Sequence, residues 1–426
     1  MKEDFLKFVW QQSIFNTSAL QSTNGESIEI INKGFPNDDS GPDFLNAKVK
    51  IGEQLWAGNV ELHVNSSLWE VHNHQNDKAY NNVILHVVFE DDKPIKNQKG
   101  NLIPTLELKG LIPKYVYQNY LELLESKLWI PCENLMQEDD FKNIKLWYES
   151  LLIERIEGKS KTIEKRLIET KFNWEQIFFE EMAKCFGLKQ NILPFELVAK
   201  SIDFNQLLTH ADQLTQLEAI LFGQAGFLND KINDGYYQSL QKEYQFLKQK
   251  FNLNPIDSSI WKFLRLRPAN FPTVRLAQLA SLIYTHKRIF ATILNANQLK
   301  DIYKIFNVST SEYWKTHYHF SKNSTQKSKS IGKSKINIII INAITPLLFL
   351  YSKHKNEEHI AEKVLNWLNK MKPETNSIVS KWKSLNLPIE NAVDSQALLQ
   401  LKNNYCNFKR CLDCRIGKNI LYKNGR

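Results

Sequence analysis

The sequence predicts an α+β protein in which an N-terminal mixed-sheet domain precedes a mostly helical one. Two patterns carry this prediction. Residues 27–112 contain short runs of alternating apolar and polar residues separated by Gly, Pro, Asn and Asp, which is strand and turn chemistry. Beyond residue 114 the apolar residues recur at three- and four-residue spacing, which is helical. The expected division is therefore a sheet domain over 1–113, a helical domain over 114–402, and a cysteine-bearing segment over 403–426 that packs near Cys132.

Taken in order, residues 3–14 place Phe5, Leu6, Phe8, Val9 and Trp10 at helical spacing, so this segment forms a helix that packs on the sheet. An Asn24-Gly25 turn leads into the first strand, residues 27–32. The loop over 34–41 is rich in turn formers and delivers Asp43; Asp38 and Asp39 are candidate extra ligands, although Asp and Asn fill turns without any further role. From Asp43 to Ile51 the odd positions are apolar apart from the leading carboxylate, and the even ones carry Asn46, Lys48 and Lys50. A Gly52-Glu53 turn pairs this strand with the next, where Gly58, Val60, Leu62 and Val64 share one face and Asn59, Glu61 and His63 the other. Glu61 and His63 therefore project side by side.

Residues 69–80 form a short helix or loop bearing His72, His74 and Asp77. The two histidines share a side only if their segment is extended. His86 lies inside the apolar run VILHVV, where a packed core histidine is as reasonable as a functional one, and residues 102–112 close the sheet. Four of the ten histidines thus fall within one stretch of about fifty residues whose sheet pattern needs none of them. This is the candidate active site, with Asp43, Glu61, His63, His72 and His74 as its catalytic groups.

The Pro42-Asp43 pair, Glu61-Leu62-His63 some eighteen residues later, and the order helix, three strands, helix, strand resemble the restriction-endonuclease-like PD-(D/E)xK nuclease core. That resemblance implies a Mg²⁺ (or Mn²⁺) ion held by Asp43 and Glu61, and hydrolysis of nucleic-acid phosphodiesters. The third signature position, usually lysine, is His63 here. An imidazole there can orient or deprotonate the attacking water, or mark a core that has lost catalysis and serves as a binding or scaffold module. A second resemblance spans nearly the whole chain: GPDFLNA, GNVELHV, SLWEVHNH, VILHVV, LWIPCE, RLRPANFPTVRLAQLA, SIGKS and CNFKRCLDCRIG are similar, in order, to an uncharacterised bacterial family, domain of unknown function 2851. It implies no activity.

Two stretches of the helical part bear on a polyanion. FLRLRPANFPTVR presents Arg265, Arg267 and Arg275 around two prolines expected to keep them out of a helix, a display suited to phosphate oxygens. KNSTQKSKSIGKSK carries five lysines and no acid, which fits a solubilising disordered loop better than a contact to a nucleic-acid backbone. Its Gly332-Lys333-Ser334 lacks the upstream glycine of a P-loop, Lys327 standing there instead, which excludes a nucleotide site of that kind.

Cys406, Cys411 and Cys414 follow a C-x4-C-x2-C spacing, and Cys132, after a proline, is the natural fourth ligand. Four thiolates suit structural Zn²⁺ or an iron–sulfur cluster, and spacing does not separate the two. The remaining bounds are looser. Lysine and arginine, 55 against 46 acids, give a net charge of +9, which permits an anionic partner such as nucleic acid without requiring one. Five cysteines without a disulfide framework, and no apolar leader, point to the cytoplasm. The apolar run over 338–351, broken by Asn342 and Pro346, is expected to be a buried helix too short for a bilayer.

Overall fold

The computed structural model describes residues 1–137, 139, 140 and 144–423, and the chain folds as two compact units, 1–147 with 401–426, and 148–400. The expected boundaries lie instead at 113 and 402. Helix Lys114–Glu125 belongs to the first unit, because Asn119 donates its side-chain amide to the carbonyls of Ile420 and Lys423 (3.0 and 3.1 Å), so the chain's end returns to it.

The first unit is built on a mixed sheet: β1 (Leu20–Gln21), β2 (Ser27–Asn32), β3 (Phe35–Pro36), β4 (Phe44–Ile51), β5 (Gln54–Asn65), β6 (Val83–Glu90) and β7 (Thr105–Glu107), in the order β1-β2-β4-β5-β6-β7 with β3 paired to β4. β2, β4 and β5 are antiparallel neighbours, whereas β5, β6 and β7 are parallel. Beyond β1 the Thr23 amide donates to the Thr105 carbonyl of β7 (2.9 Å), leaving the sheet nearly closed. Helix α1 (Glu3–Gln12) buries Phe5, Leu6, Phe8, Val9 and Trp10, the residues its spacing selects.

The β4–β5 hairpin turns at Gly52, whose φ of +57° suits glycine, with Ile51 opposite Gln54. Strict alternation along β4 does not hold. Asn46 adopts φ +59° at an irregularity in the pairing, so Phe44 rather than Leu45 is buried while Ala47, Val49 and Ile51 stay inward. β6 approaches β5 so closely that a Cβ on Gly58 would lie 2.4 Å from Ile84 Cγ2 and 2.5 Å from the Asn82 carbonyl, contacts only glycine avoids. The last strand is three residues long, not the run expected over 102–112. Pro104, just before it, has no amide to extend the ladder.

The second unit is helical. Tyr148–Glu169, Trp174–Phe186, Ile192–Lys200, Leu214–Gln224, Gly235–Phe251 and Pro272–His286 fall where apolar periodicity places helices, although the start expected at 141 lies outside the described residues. Lys333–Lys355 is longer than the apolar run suggests. Its turn over Ile340–Ile344 is a π-turn, ahead of Pro346, whose missing amide would break a regular α-helix. By length and composition it is, among the described residues, the helix able to cross a membrane, yet 67% of its most apolar window is buried inside the unit.

Candidate metal and proton-transfer site

Asp43 precedes β4, Glu61 and His63 sit on β5 and His86 on β6, all in the first unit. Adjacent strands therefore bring together residues far apart in sequence. The Asp43 amide donates to Glu61 Oε2 (3.0 Å), and the Leu62 amide donates to Asp43 Oδ2 (3.1 Å). Each carboxylate is thus fixed by backbone beside the other. The second oxygen of Asp43, Oδ1, meets Lys7 Nζ of α1 at 2.6 Å. Glu61 Oε1 faces the imidazoles, 3.4 Å from His74 Nε2 and 3.6 Å from His63 Nε2.

The residues after β5 explain how His72 and His74 reach the same spot. The segment is neither a continuous helix nor extended. The short helix α2 (Leu68–Val71) ends beside His72, Asn73 takes a left-handed φ of +64°, and His74 opens a 3₁₀ turn. That one reversal lets both rings face His63, whose Nε2 lies 3.0 Å from His72 Nδ1. The ligand nitrogens of His63, His72 and His74 all lie within 4.8 Å of one another, so the three can hold a metal ion. His63 is buried, His74 half-buried and His72 exposed, which leaves the cluster with one open side.

His86, fully buried, places Nε2 2.8 Å from His63 Nδ1. Sequence reading gave this residue no firm role. When His63 Nε2 is a ligand, its ring proton is on Nδ1 and is donated to His86, so His86 sets the tautomer and orientation of the ligand. Burial first, and the neighbouring imidazoles second, lower His63 to about 2 and His86 to about 3, so both are neutral at physiological pH. Burial raises the pKa of Glu61, helped by Asp43 and opposed by His74. Burial also disfavours the Lys7 ammonium, but Asp43 and Glu61 outweigh it and raise its pKa.

The donor set can be tested against a metal directly. His74 Nε2 is buried and has no well-formed hydrogen bond, its polar neighbour being Glu61 Oε1 at 3.4 Å. A buried nitrogen held loosely beside an acid is a pair that a shared cation would satisfy. Three imidazoles with one carboxylate suit Mn²⁺, Fe²⁺ or Zn²⁺ better than Mg²⁺, which favours oxygen ligands. The two-acid Mg²⁺ grip expected of Asp43 and Glu61 also meets competition, since both Asp43 oxygens already have partners.

The other candidates separate from this site. Asp77 caps the turn Lys78–Tyr80 by accepting from the Ala79 amide, and Asp38 and Asp39 are exposed in a turn organised by the Asn37 side chain. In the second unit, Arg265 and Arg267 are exposed and line a cleft of about 920 Å³ together with Lys159, Lys184, Glu181 and Glu374. Arg275 does not join them. Pro272 starts a helix instead of blocking one, and Arg275 is buried inside it, donating to Gln278 Oε1 (2.7 Å) and Asn270 Oδ1 (2.5 Å). Of the lysines in the basic stretch, Lys329 and Lys335 are likewise buried, Lys335 donating to the Cys185 carbonyl at 2.6 Å.

A family model described as a protein of unknown function, DUF2851, matches residues 3–377. No curated protein and no solved structure matches the chain, so the resemblance to a nuclease core rests on the local motif and strand order alone.

Proposed function

We propose that this chain, which belongs to the DUF2851 family, is a divalent-metal-dependent hydrolase of nucleic-acid phosphodiesters, its ion held by His63, His72, His74 and Glu61. The observation that carries the reading is the convergence of three imidazole nitrogens on one partly open point, with Glu61 Oε1 3.6 Å from His63 Nε2 and 3.4 Å from His74 Nε2. A divalent ion there supplies Lewis acidity towards a phosphoryl oxygen and a nucleophilic water at neutral pH. The chain's own groups do the rest. The mutual hold of Asp43 and Glu61 fixes the acids, and His86 orients His63. Lys7, 39% exposed, offers a cation to an incoming anionic oxygen. His72, the exposed imidazole, closes the ligand set on the side open to solvent, where substrate would reach the ion. The local resemblance of Pro42-Asp43 and Glu61-Leu62-His63 to a nuclease motif, and a net charge of +9, support the choice of a nucleic-acid substrate.

The test is cleavage of single- and double-stranded DNA and RNA with Mn²⁺, Zn²⁺ or Mg²⁺, comparing the parent with Asp43→Ala, Glu61→Ala and His63→Ala. The reading expects Mn²⁺- or Zn²⁺-dependent cleavage that falls roughly a hundredfold or more in Glu61→Ala and His63→Ala. Equal activity in parent and variants removes these residues from the mechanism. A second reading, a catalytically inactive binding module, draws on the Lys7–Asp43 ion pair and on His63 in the lysine position. Metal-independent binding of nucleic acid without cleavage would favour it.

A further inference from the structure

The cleft of about 920 Å³ lies wholly within the second unit, and the histidine site makes no use of it. Its size falls in the range that encloses a cofactor-sized molecule, about 300–1,000 Å³. Cys185, the free thiol of this unit, stands in its wall, whereas Cys132, Cys406, Cys411 and Cys414 belong to the first unit. Five of the described lining residues are cations and two are acids. Lys184 is already engaged, 2.6 Å from Glu181 and 3.5 Å from Glu196. Lys189, Arg265 and Arg267 are exposed at the mouth, and among the described residues none of the three pairs with an acid.

Lys159 is the inner cation. Half-buried in the cleft wall, it donates from Nζ to Asn342 Oδ1 (2.7 Å), a neutral acceptor, and keeps two N–H donors for something else. Asn342 belongs to the π-turn over Ile340–Ile344 and is steadied by donating to the Ile338 carbonyl (2.9 Å). A wide turn of this kind inside a helix is a common device for aiming a side chain into a site.

The mouth is held as firmly. Buried Asn191 grips the start of the arginine loop at both backbone atoms of Lys262, accepting from its amide and donating to its carbonyl (2.8 Å each). The far end is fixed where Asn270 accepts from buried Arg275 (2.5 Å). Between these anchors Arg265 takes a φ of +63°, a backbone state unfavourable for a residue with a Cβ. Guanidinium groups on a loop pinned at both ends lose little freedom when they take up an anion.

The rest of the lining narrows the ligand's chemistry. Ile163, Leu188, Ile192, Leu266 and Ile338 give it apolar walls, which inorganic phosphate alone would leave uncovered. Glu374, the other acid, accepts from the neutral amides of Asn376 (3.2 Å) and Gln396 (2.6 Å) and has lone pairs left for a hydroxyl or amino group. An alkyl carboxylate would set methylenes against it. A body that is apolar on its faces, carries hydroxyl or amino donors and ends in several negative charges meets all of these demands.

We infer that this cleft binds a nucleoside phosphate, its phosphates held by Arg265, Arg267 and Lys189 at the mouth, with Lys159 and Glu374 serving the part enclosed. The inference does not rest on the histidine centre.

The test is calorimetric titration of the full chain in EDTA with the adenine, guanine, cytosine and uracil nucleoside diphosphates, beside tripolyphosphate, ribose 5-phosphate and a short 5′-phosphorylated oligonucleotide. EDTA silences metal-dependent hydrolysis, so failure here and failure of the metal site are separate results. At least one nucleoside diphosphate should bind with a Kd on the order of 100 µM or tighter and about one site per chain. Arg265→Ala with Arg267→Ala, and separately Lys159→Met, should each weaken it roughly tenfold or more. Lys242→Ala with Lys248→Ala removes two exposed lysines that do not line the cleft and should leave the affinity within about twofold. No nucleotide binding at about 1 mM, equal affinity for tripolyphosphate, binding of the oligonucleotide alone, or affinity undiminished in the arginine double variant would overturn the assignment. The arginines are exposed, so that variant keeps its fold and the result is decisive.

Discussion

Asp43 and Glu61 hold each other through the backbone: the Asp43 amide donates to Glu61 Oε2 at 3.0 Å, and Asp43 Oδ2 accepts from the Leu62 amide at 3.1 Å. The reciprocity makes Glu61 a structural acceptor as well as a proposed metal ligand, and the two roles can be separated. Glu61→Gln keeps a carbonyl oxygen for the Asp43 amide, so it should cost under about 1 kcal/mol of stability, whereas Glu61→Ala orphans that amide and should cost about 1–3 kcal/mol. Both should weaken metal binding. Urea unfolding beside a metal titration reads the two effects independently, and equal stability of the two variants would count against the clamp.

Gly58 sets the spacing between β5 and β6, and hence the approach of His63 to His86. Gly58→Ala must displace Ile84 or the Asn82 carbonyl, which its Cβ would meet at 2.4 and 2.5 Å. The variant should lose about 1–3 kcal/mol, and its metal affinity should fall because the ligand's support shifts. Unchanged thermal unfolding would show that the strands separate without penalty.

These two cases show what the sequence could and could not disclose. Two-residue periodicity placed Glu61 and His63 on one face of a strand, and the Gly52 turn brought Asp43 beside them, because strand geometry follows from local pattern. The same reasoning misplaced Phe44 and Leu45, since the left-handed Asn46 shifts the phase of β4. The sequence offers His72 and His74 as catalytic groups that share a side only on an extended segment, but their convergence depends on the single backbone reversal at Asn73. His86 and Lys7 carried no local signal, since one sits in an ordinary apolar strand and the other on an ordinary amphipathic helix. Only tertiary pairing brings them to the site. Arg275 looked like its neighbours until Pro272 proved to start a helix.

Those arginines should now behave differently. Arg275→Ala leaves Gln278 and Asn270 without their buried donor and should cost about 2–3 kcal/mol. Arg265→Ala with Arg267→Ala should alter stability by under about 0.5 kcal/mol. If their cleft receives a nucleic-acid backbone, the double variant should also flatten the slope of log affinity against log salt by about 2 for a duplex. An unchanged slope would take Arg265 and Arg267 out of binding.

Glu218 supplies a pH-dependent stability in the second unit. Burial, opposed by hydrogen bonds from Tyr236 (2.7 Å) and Ser311 (2.8 Å), raises it to about 7 from 4.5. A raised carboxyl pKa means that the folded chain prefers the protonated acid. Its stabilising contribution is complete below pH 4.5 and is lost as pH rises through 7. Glu218→Gln should therefore exceed the parent's stability at pH 8 by about 3 kcal/mol and match it near pH 4.5. Parallel pH–stability curves for parent and variant would refute this.

The account stands most directly on whether one ion binds at the imidazoles. Mn²⁺ is the discriminating probe, because it accepts nitrogen and oxygen ligands and has little affinity for the thiols of the same unit. Titration of chelator-treated protein with Mn²⁺, followed by the paramagnetic resonance of the free ion, should show about one site per chain that is lost in His63→Ala and His74→Ala and retained in Cys406→Ser. Absence of binding, or binding that survives both histidine substitutions, would contradict it.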